Sequence, residues 1–201
     1  MPELRCLCID DNHMGDKVGG PALAECLGSL PKLVKLEATK NGLGSNTAKA
    51  LTAVFERGGC SELKEVDLGD NSMGAAFTPL AKALARIAPG LEDLNLEGND
   101  LTEEALIALA NSLSRAKSLE KLDLSDCGFS GRAADALATA VVGMRSLTHL
   151  IMQKCKIKTA DAVKIAQAVR RLPLPHAATT PSTSPDARVS EWFHPARVLR
   201  R

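Results

Sequence analysis

One phase-locked recurrence constrains this chain more than any other feature. Leucine stands at Leu4, Leu33, Leu63, Leu91, Leu119 and Leu147, at intervals of 29, 30, 28, 28 and 28 residues. Three residues after each comes a second apolar side chain (Leu7, Leu36, Val66, Leu94, Leu122, Leu150), and two residues later a third (Ile9, Ala38, Leu68, Leu96, Leu124, Met152). Next comes a column of Asn12, Asn41, Asn71, Asn99, Cys127 and Cys155, followed by Met14, Leu43, Met73, Leu101, Phe129 and Ile157. Apolar residues two apart have the period of a half-buried strand. Beyond the turn the period changes to that of a helix, as in Ala105, Leu106, Leu109, Ala110 and Leu113. Each unit therefore predicts a strand, a turn and a helix. A strand that returns through a helix lies parallel to the strand before it.

The spacing resembles the leucine-rich repeat formula L-x-x-L-x-L-x-x-N/C-x-L, most clearly in the stretch LEDLNLEGNDLTEEALIALANSLSRAKSLEKLDLSDC from Leu91 to Cys127. Units of 28–30 residues are long for this repeat and leave room for a full helix on the outer side. The expected fold is α/β: a curved leucine-rich-repeat solenoid of six units, with parallel strands on the concave face and helices on the convex face. Helices are expected near Thr47–Arg57, along Phe77, Leu80, Ala81 and Leu84, and along Ala162, Ile165, Ala166 and Val169. Pro79 falls in a first helical turn, where its missing N–H costs little. The repeat domain spans 1–172, and 173–201 is a Pro/Ser/Thr-rich tail expected to be disordered. Its Trp192-Phe193 pair is a candidate docking point, and Thr180-Pro and Ser184-Pro are candidate phosphorylation sites. No polar capping unit precedes Leu4 or follows Leu172. The array is therefore expected either to continue or to have its end units covered.

The Asn/Cys column has a physical reason. Where a strand bends into a loop, buried backbone groups lose their ladder partners, and an amide side chain offers both a donor and an acceptor to satisfy them. Cys tolerates the same burial. Cys127 and Cys155 are thus expected to be ladder residues rather than metal ligands. Cys6 and Cys8 alternate with the first strand's leucines and are expected on its exposed side, as small strand residues without further ligands.

Composition removes several function classes. Aromatic residues make up 2% of the chain and the net charge is +1, so there is neither a stacking platform nor a basic footprint for nucleic acid. No run has membrane-spanning length, and the first residues lack the basic-then-apolar pattern of a secretion signal. Six scattered cysteines form no disulfide framework. The expected location is cytoplasmic, with a nuclear or nuclear-envelope association as the alternative. The Gly19-Gly20 and Gly58-Gly59 pairs lack the Lys-Ser/Thr neighbour of a phosphate loop. His13, His149, His176 and His194 have no nucleophile in a catalytic motif near them, so no catalytic residue, metal or cofactor is expected.

What remains is the inner face. The third, fifth, seventh and eighth residues of the units line it. They comprise ten acids, Asp10, Asp11, Glu37, Glu65, Asp67, Asp70, Asp93, Glu97, Asp123 and Asp126, against four bases, Lys35, Lys40, Lys121 and Lys154. This face therefore carries −6 in a chain whose total is +1. Concave faces of solenoids are their usual binding surfaces, and a one-signed cleft focuses the field on opposite charge. The expected function is recognition of a protein partner with a basic surface, carried by Asp10, Glu37, Glu65, Asp67, Asp93, Glu97, Asp123 and Asp126.

The repeat length, the Asn/Cys turn and the long helices resemble the ribonuclease-inhibitor-like class. Within it, LEDLNLEGNDLTEEALIALANSL and LEKLDLSDCGFSGRAADALATAV are most similar to the repeat domain of Ran GTPase-activating proteins. That resemblance implies a non-catalytic regulator that grips a small GTPase of the Ran type and stimulates its hydrolysis of GTP. The ligand-sensing arrays of NOD-like receptors and ribonuclease inhibitor itself are nearly as similar. They imply instead a passive scaffold, a sensing array, or an inhibitor of a basic enzyme.

Overall fold

The structure is a computed structural model and describes residues 3–172. The tail residues named above lie outside the described residues. Six strands alternate with six helices: β1 (Cys6–Cys8), α1 (Gly20–Gly28), β2 (Lys35–Glu37), α2 (Ser45–Glu56), β3 (Glu65–Asp67), α3 (Phe77–Ala83), β4 (Asp93–Asn95), α4 (Glu103–Leu113), β5 (Lys121–Asp123), α5 (Gly131–Val141), β6 (His149–Ile151) and α6 (Thr159–Val169). All strands are parallel in one sheet of order β1-β2-β3-β4-β5-β6. Register follows the repeat, because Leu7, Leu36, Val66, Leu94, Leu122 and Leu150 stand side by side across the sheet. A slip of one residue would turn this whole apolar row to water.

Each strand is three residues long, with its central side chain turned toward the helices and the outer two toward the concave face. The three leucine columns and the inner stripes of the helices form one continuous core. Successive helices pack on one another outside it, α1 on α2 through to α5 on α6. In unit 1, Leu4, Leu7 and Ile9 are only partly buried, since β1 has one strand neighbour among the described residues.

The Asn/Cys column forms a ladder. The Nδ2 of Asn41, Asn71 and Asn99 donates to the carbonyls of Ile9, Ala38 and Leu68, each in the preceding unit, at 2.8, 3.0 and 2.7 Å. Cys127 and Cys155 continue the series with Sγ 3.8 Å from Leu96 O and 3.1 Å from Leu124 O. Burial pushes the Cys127 thiol up to about 12 and raises that of Cys155 as well, so both stay protonated donors. Asn12 departs from the expected burial. It is exposed and satisfies its own loop, donating to Ile9 O and Asp10 O.

The helices differ in detail from the periodicity. A wide turn, Gly15–Gly19, leads into α1, and α3 ends at Ala83, passing into tight turns at Leu84–Arg86 and Ala88–Gly90. Pro79 is the third residue of α3, inside the first turn, where backbone N–H groups have no helical partner. The helix stack is tight: a Cβ on Gly143 would stand 2.3 Å from the Ser114 carbonyl, so only glycine fits there.

Candidate partner-binding face

The concave face is built from four columns, two on the strands and two on the loop that follows. The last column is occupied by Asp11, Lys40, Asp70, Gly98, Asp126 and Lys154, all with φ between 49° and 65°. This left-handed turn in every unit lets the chain leave the sheet and present the loop side chains beside the strand ends. Non-glycine residues adopt it uncommonly, with Asp and Asn enriched among those that do.

The eight predicted partner-binding carboxylates all lie on this face, but the structure separates them by what they already hold. Asp10, Asp67 and Asp123 bind backbone. Asp10 Oδ1 accepts from the Thr39 N–H at 2.7 Å and the Thr39 hydroxyl at 2.9 Å. Asp67 accepts from Gly69 N at 3.0 Å and Asn95 Nδ2 at 3.1 Å, and Asp123 from Ser125 N at 2.9 Å. Asn95 repeats the arrangement, accepting from Glu97 N at 3.0 Å. Asp67, Asn95 and Asp123 fold back two residues onto the loop, as Asx turns do, whereas Asp10 reaches the loop of the next unit. Burial nevertheless raises the Asp67 carboxyl above its ordinary value, against the pull of those hydrogen bonds.

A second group is ion-paired. Lys35 Nζ lies 3.0 Å from Glu37 and 3.1 Å from Glu65, and Lys121 Nζ lies 3.3 Å from Asp93. Lys35 is raised by its hydrogen bonds to Glu37 and then Glu65, and Glu37 is lowered by hydrogen bonds from Cys8 and then Lys35. Around these groups the face sinks into a shallow hollow of about 220 Å³. Such solvent-screened pairs are weak, so a partner's charges can replace them at small cost.

Glu97 and Asp126 form the third group. Among the described residues neither carboxylate has an ion-pair partner. Glu97 is raised, first by partial burial and then by the negative charges of Asp123 and Asp70. Asp70 itself has only Lys40, at 4.0 Å. The unsatisfied negative charge of the face is thus concentrated on the loop side of units 3–5, while Lys35 and Lys121 neutralise the strand-entry side. Unit 6 is of different character, presenting His149, Ile151, Gln153 and Lys154 in the same columns.

In the sequence alone the eight carboxylates are equivalent. The missed signal is the Asp-Leu-x or Asn-Leu-x spacing at Asp67, Asn95 and Asp123, which places a carboxylate or amide two residues before a loop N–H. Also missed was Asp16, whose role lies between units. Its Oδ1 accepts from Gly44 N (2.8 Å), Thr47 N (2.8 Å) and the Thr47 hydroxyl (2.9 Å), and its Oδ2 from Asn46 N (3.0 Å), all at the start of α2. A separate open hollow of about 720 Å³ lies on the helix side between α1 and α2. It is walled by small residues such as Ala24, Gly28, Ala50 and Ala53, with Glu25 and Arg57 as opposite charges. Among the described residues no group of three or more His, Cys, Asp or Glu is arranged to hold a metal ion, and no helix is long and apolar enough to cross a membrane.

Comparison with known proteins agrees with this architecture. The Leucine Rich repeat family model matches residues 91–110 and 115–138, which are units 4 and 5. Human NACHT, LRR and PYD domains-containing protein 5 is 33% identical over 90 residues, 44% of this chain and 7% of the relative. Mouse Protein NLRC5 is 28% identical over 141 residues, 70% of this chain and again 7% of the relative. The chain thus spans a small fraction of the length of these relatives. Among solved structures, the tropomodulin C-terminal domain of Caenorhabditis elegans aligns with a TM-score of 0.52 at 15% identity, covering 85% of this chain and 84% of that one. In fold, the chain is a leucine-rich-repeat solenoid, matched in sequence at units 4 and 5 and in shape along most of its length.

Proposed function

We propose that this chain is a protein-recognition module that takes a partner with a basic surface onto the loop side of its concave face, at units 3–5. The observation that carries the reading is the division of the acids. Among the described residues Glu97 and Asp126 have no cationic partner, and Glu65 and Asp93 are held by half-exposed lysines that an incoming arginine or lysine can displace. Asp10, Asp67 and Asp123 serve the loops first and supply background field. The partner is gripped by charge and shape, without chemistry by this chain.

The test is a titration of a labelled Arg/Lys-rich peptide with the chain at low salt, comparing wild type with the triple variant Glu65→Lys, Glu97→Lys, Asp126→Lys. These three side chains hold no backbone group, so the variant is expected to fold. Its affinity is expected to fall about tenfold or more, and wild-type affinity to fall steadily as salt is added. Equal affinity of the two folded proteins would remove the acidic face as the binding site.

Relatives named for NACHT and LRR domains, and Protein NLRC5, favour a sensing array of the NOD-like-receptor kind over a GTPase activator. Single-turnover GTP hydrolysis by Ran separates the two. The sensing-array reading expects no acceleration by this chain, and acceleration would restore the activator reading.

A further inference from the structure

Of the six cysteines, only Cys6, Cys8 and Cys26 are exposed. Cys6 and Cys8 occupy the two outward positions of β1, and their sulfurs are 3.4 Å apart, in contact, on the concave side of the sheet. The other three are buried with their sulfurs near backbone carbonyls, Cys60 at 3.1 Å from Leu27 O. A contacting, solvent-facing thiol pair is a different object from two small strand residues. It can receive a disulfide's electrophilic sulfur on one thiol and release it with the other.

We propose that Cys6 and Cys8 form a reversible dithiol–disulfide couple that exchanges with a small-molecule disulfide of the glutathione type. Glu37 stands opposite Cys8 on the neighbouring strand and its carboxylate raises the Cys8 thiol, so Cys8 is the second thiol to react. The Cys6 thiolate attacks one sulfur of oxidised glutathione, whose S–S bond breaks and releases one glutathione thiolate. Cys8, its proton lost to water, then attacks Cys6 Sγ, breaking the mixed disulfide and releasing the second glutathione. The chain loses two protons and two electrons, and two molecules of reduced glutathione carry them away. Residues two apart on a parallel strand have Cα atoms about 6.6 Å apart, near the upper limit of about 6.8 Å that a disulfide bridges. The bond is therefore strained and readily opened, which is the behaviour of a labile couple rather than a structural cross-link.

The experiment treats the full chain, carrying Cys26→Ser so that one exposed pair remains, with oxidised glutathione. Thiols are then trapped in acid, and the peptide containing residues 6 and 8 is weighed. The expected product has lost two hydrogens and carries no glutathione, and excess reduced glutathione restores it. With Cys8→Ser added, one glutathione stays on Cys6, at a level about tenfold or more above that of the parent. Persistent separate glutathione adducts on Cys6 and Cys8 of the parent, or two unreacted thiols there while Cys26 of the wild type is modified, would overturn the proposal. Cys8 and Cys26 are both exposed, and circular dichroism checks that each variant is folded.

Discussion

At the scale of single residues, the same side-chain type does different work according to what surrounds it. Asn71 is buried, donates to Ala38 O, Leu68 O and Gly69 O, and accepts from Asn41 N and Leu43 N. Asn71→Ala leaves several of these buried groups unpaired, each worth about 1–3 kcal/mol. The variant is expected to lose about 3 kcal/mol or more in urea unfolding, whereas Asn12→Ala, at an exposed site of the same column, loses about 1 kcal/mol or less. Equal losses would mean that the ladder does not carry the load assigned to it. Glu97 gives the opposite case. Its carboxyl is raised in the folded chain, by burial and then by Asp123 and Asp70. Below the unfolded-state value both states are protonated and Glu97 has no effect on stability. As pH rises, the unfolded chain ionises first, and the folded state is penalised from there upward. Glu97→Gln is therefore expected to raise the urea midpoint at pH 7, to leave it unchanged at pH 3, and to weaken binding of a basic peptide. A stabilised but poorer binder is what a functional charge predicts. A destabilised one would make Glu97 structural.

At the scale of elements, units are joined by more than the apolar row. Asp16 reaches from the first loop to the N-terminus of α2, where four donor groups of Gly44, Asn46 and Thr47 meet its carboxylate. Burial alone would raise this carboxyl, but the hydrogen bonds from Thr47, Asn46 and Gly44 together outweigh it and hold it below the ordinary value. Its contribution is thus fully present above the unfolded-state value of about 3.9 and is lost as pH falls through the lower folded value. Asp16→Ala is expected to cost about 1–2 kcal/mol at pH 7 and to make unfolding less sensitive to acid below pH 4, as measured by urea titration at both pH values. An unchanged pH dependence would show that Asp16 is not the capping group. The elements themselves were legible in the sequence: strand positions, their register and the helix stripes follow from the spacing, because burying a Leu at Leu94 or Leu122 leaves one face available to it. The left-handed loop column and the caps were not legible. Asp11, Asp70 and Asp126 adopt φ > 0 because the stacked loops impose it, and sequence spacing reports side-chain burial, not backbone sign. The inner surface was legible as a face and as a charge, and illegible as a division of labour. Nothing in a list of Asp and Glu says which carboxylates already hold a backbone N–H.

At the scale of the whole molecule, the repeat turns a local pattern into a surface. Six parallel strands in register place equivalent residues of successive units about 4.8 Å apart, so one charge per unit becomes a line of charge. Along that line the sign is broken at the strand-entry side by Lys35 and Lys121 and sustained at the loop side by Asp70, Glu97 and Asp126. A partner's basic segment that follows the line crosses the strands, rather than pairing with them. The most direct test is an NMR map of backbone amides as a Lys/Arg-rich peptide is added to the full chain at low salt. Shifts are expected to concentrate between Glu65 and Asp126 at the strand ends and loops, to weaken with added salt, and to spare the outer faces of α1 to α6. Shifts centred on the helices, or on the hollow between α1 and α2, would contradict that expectation.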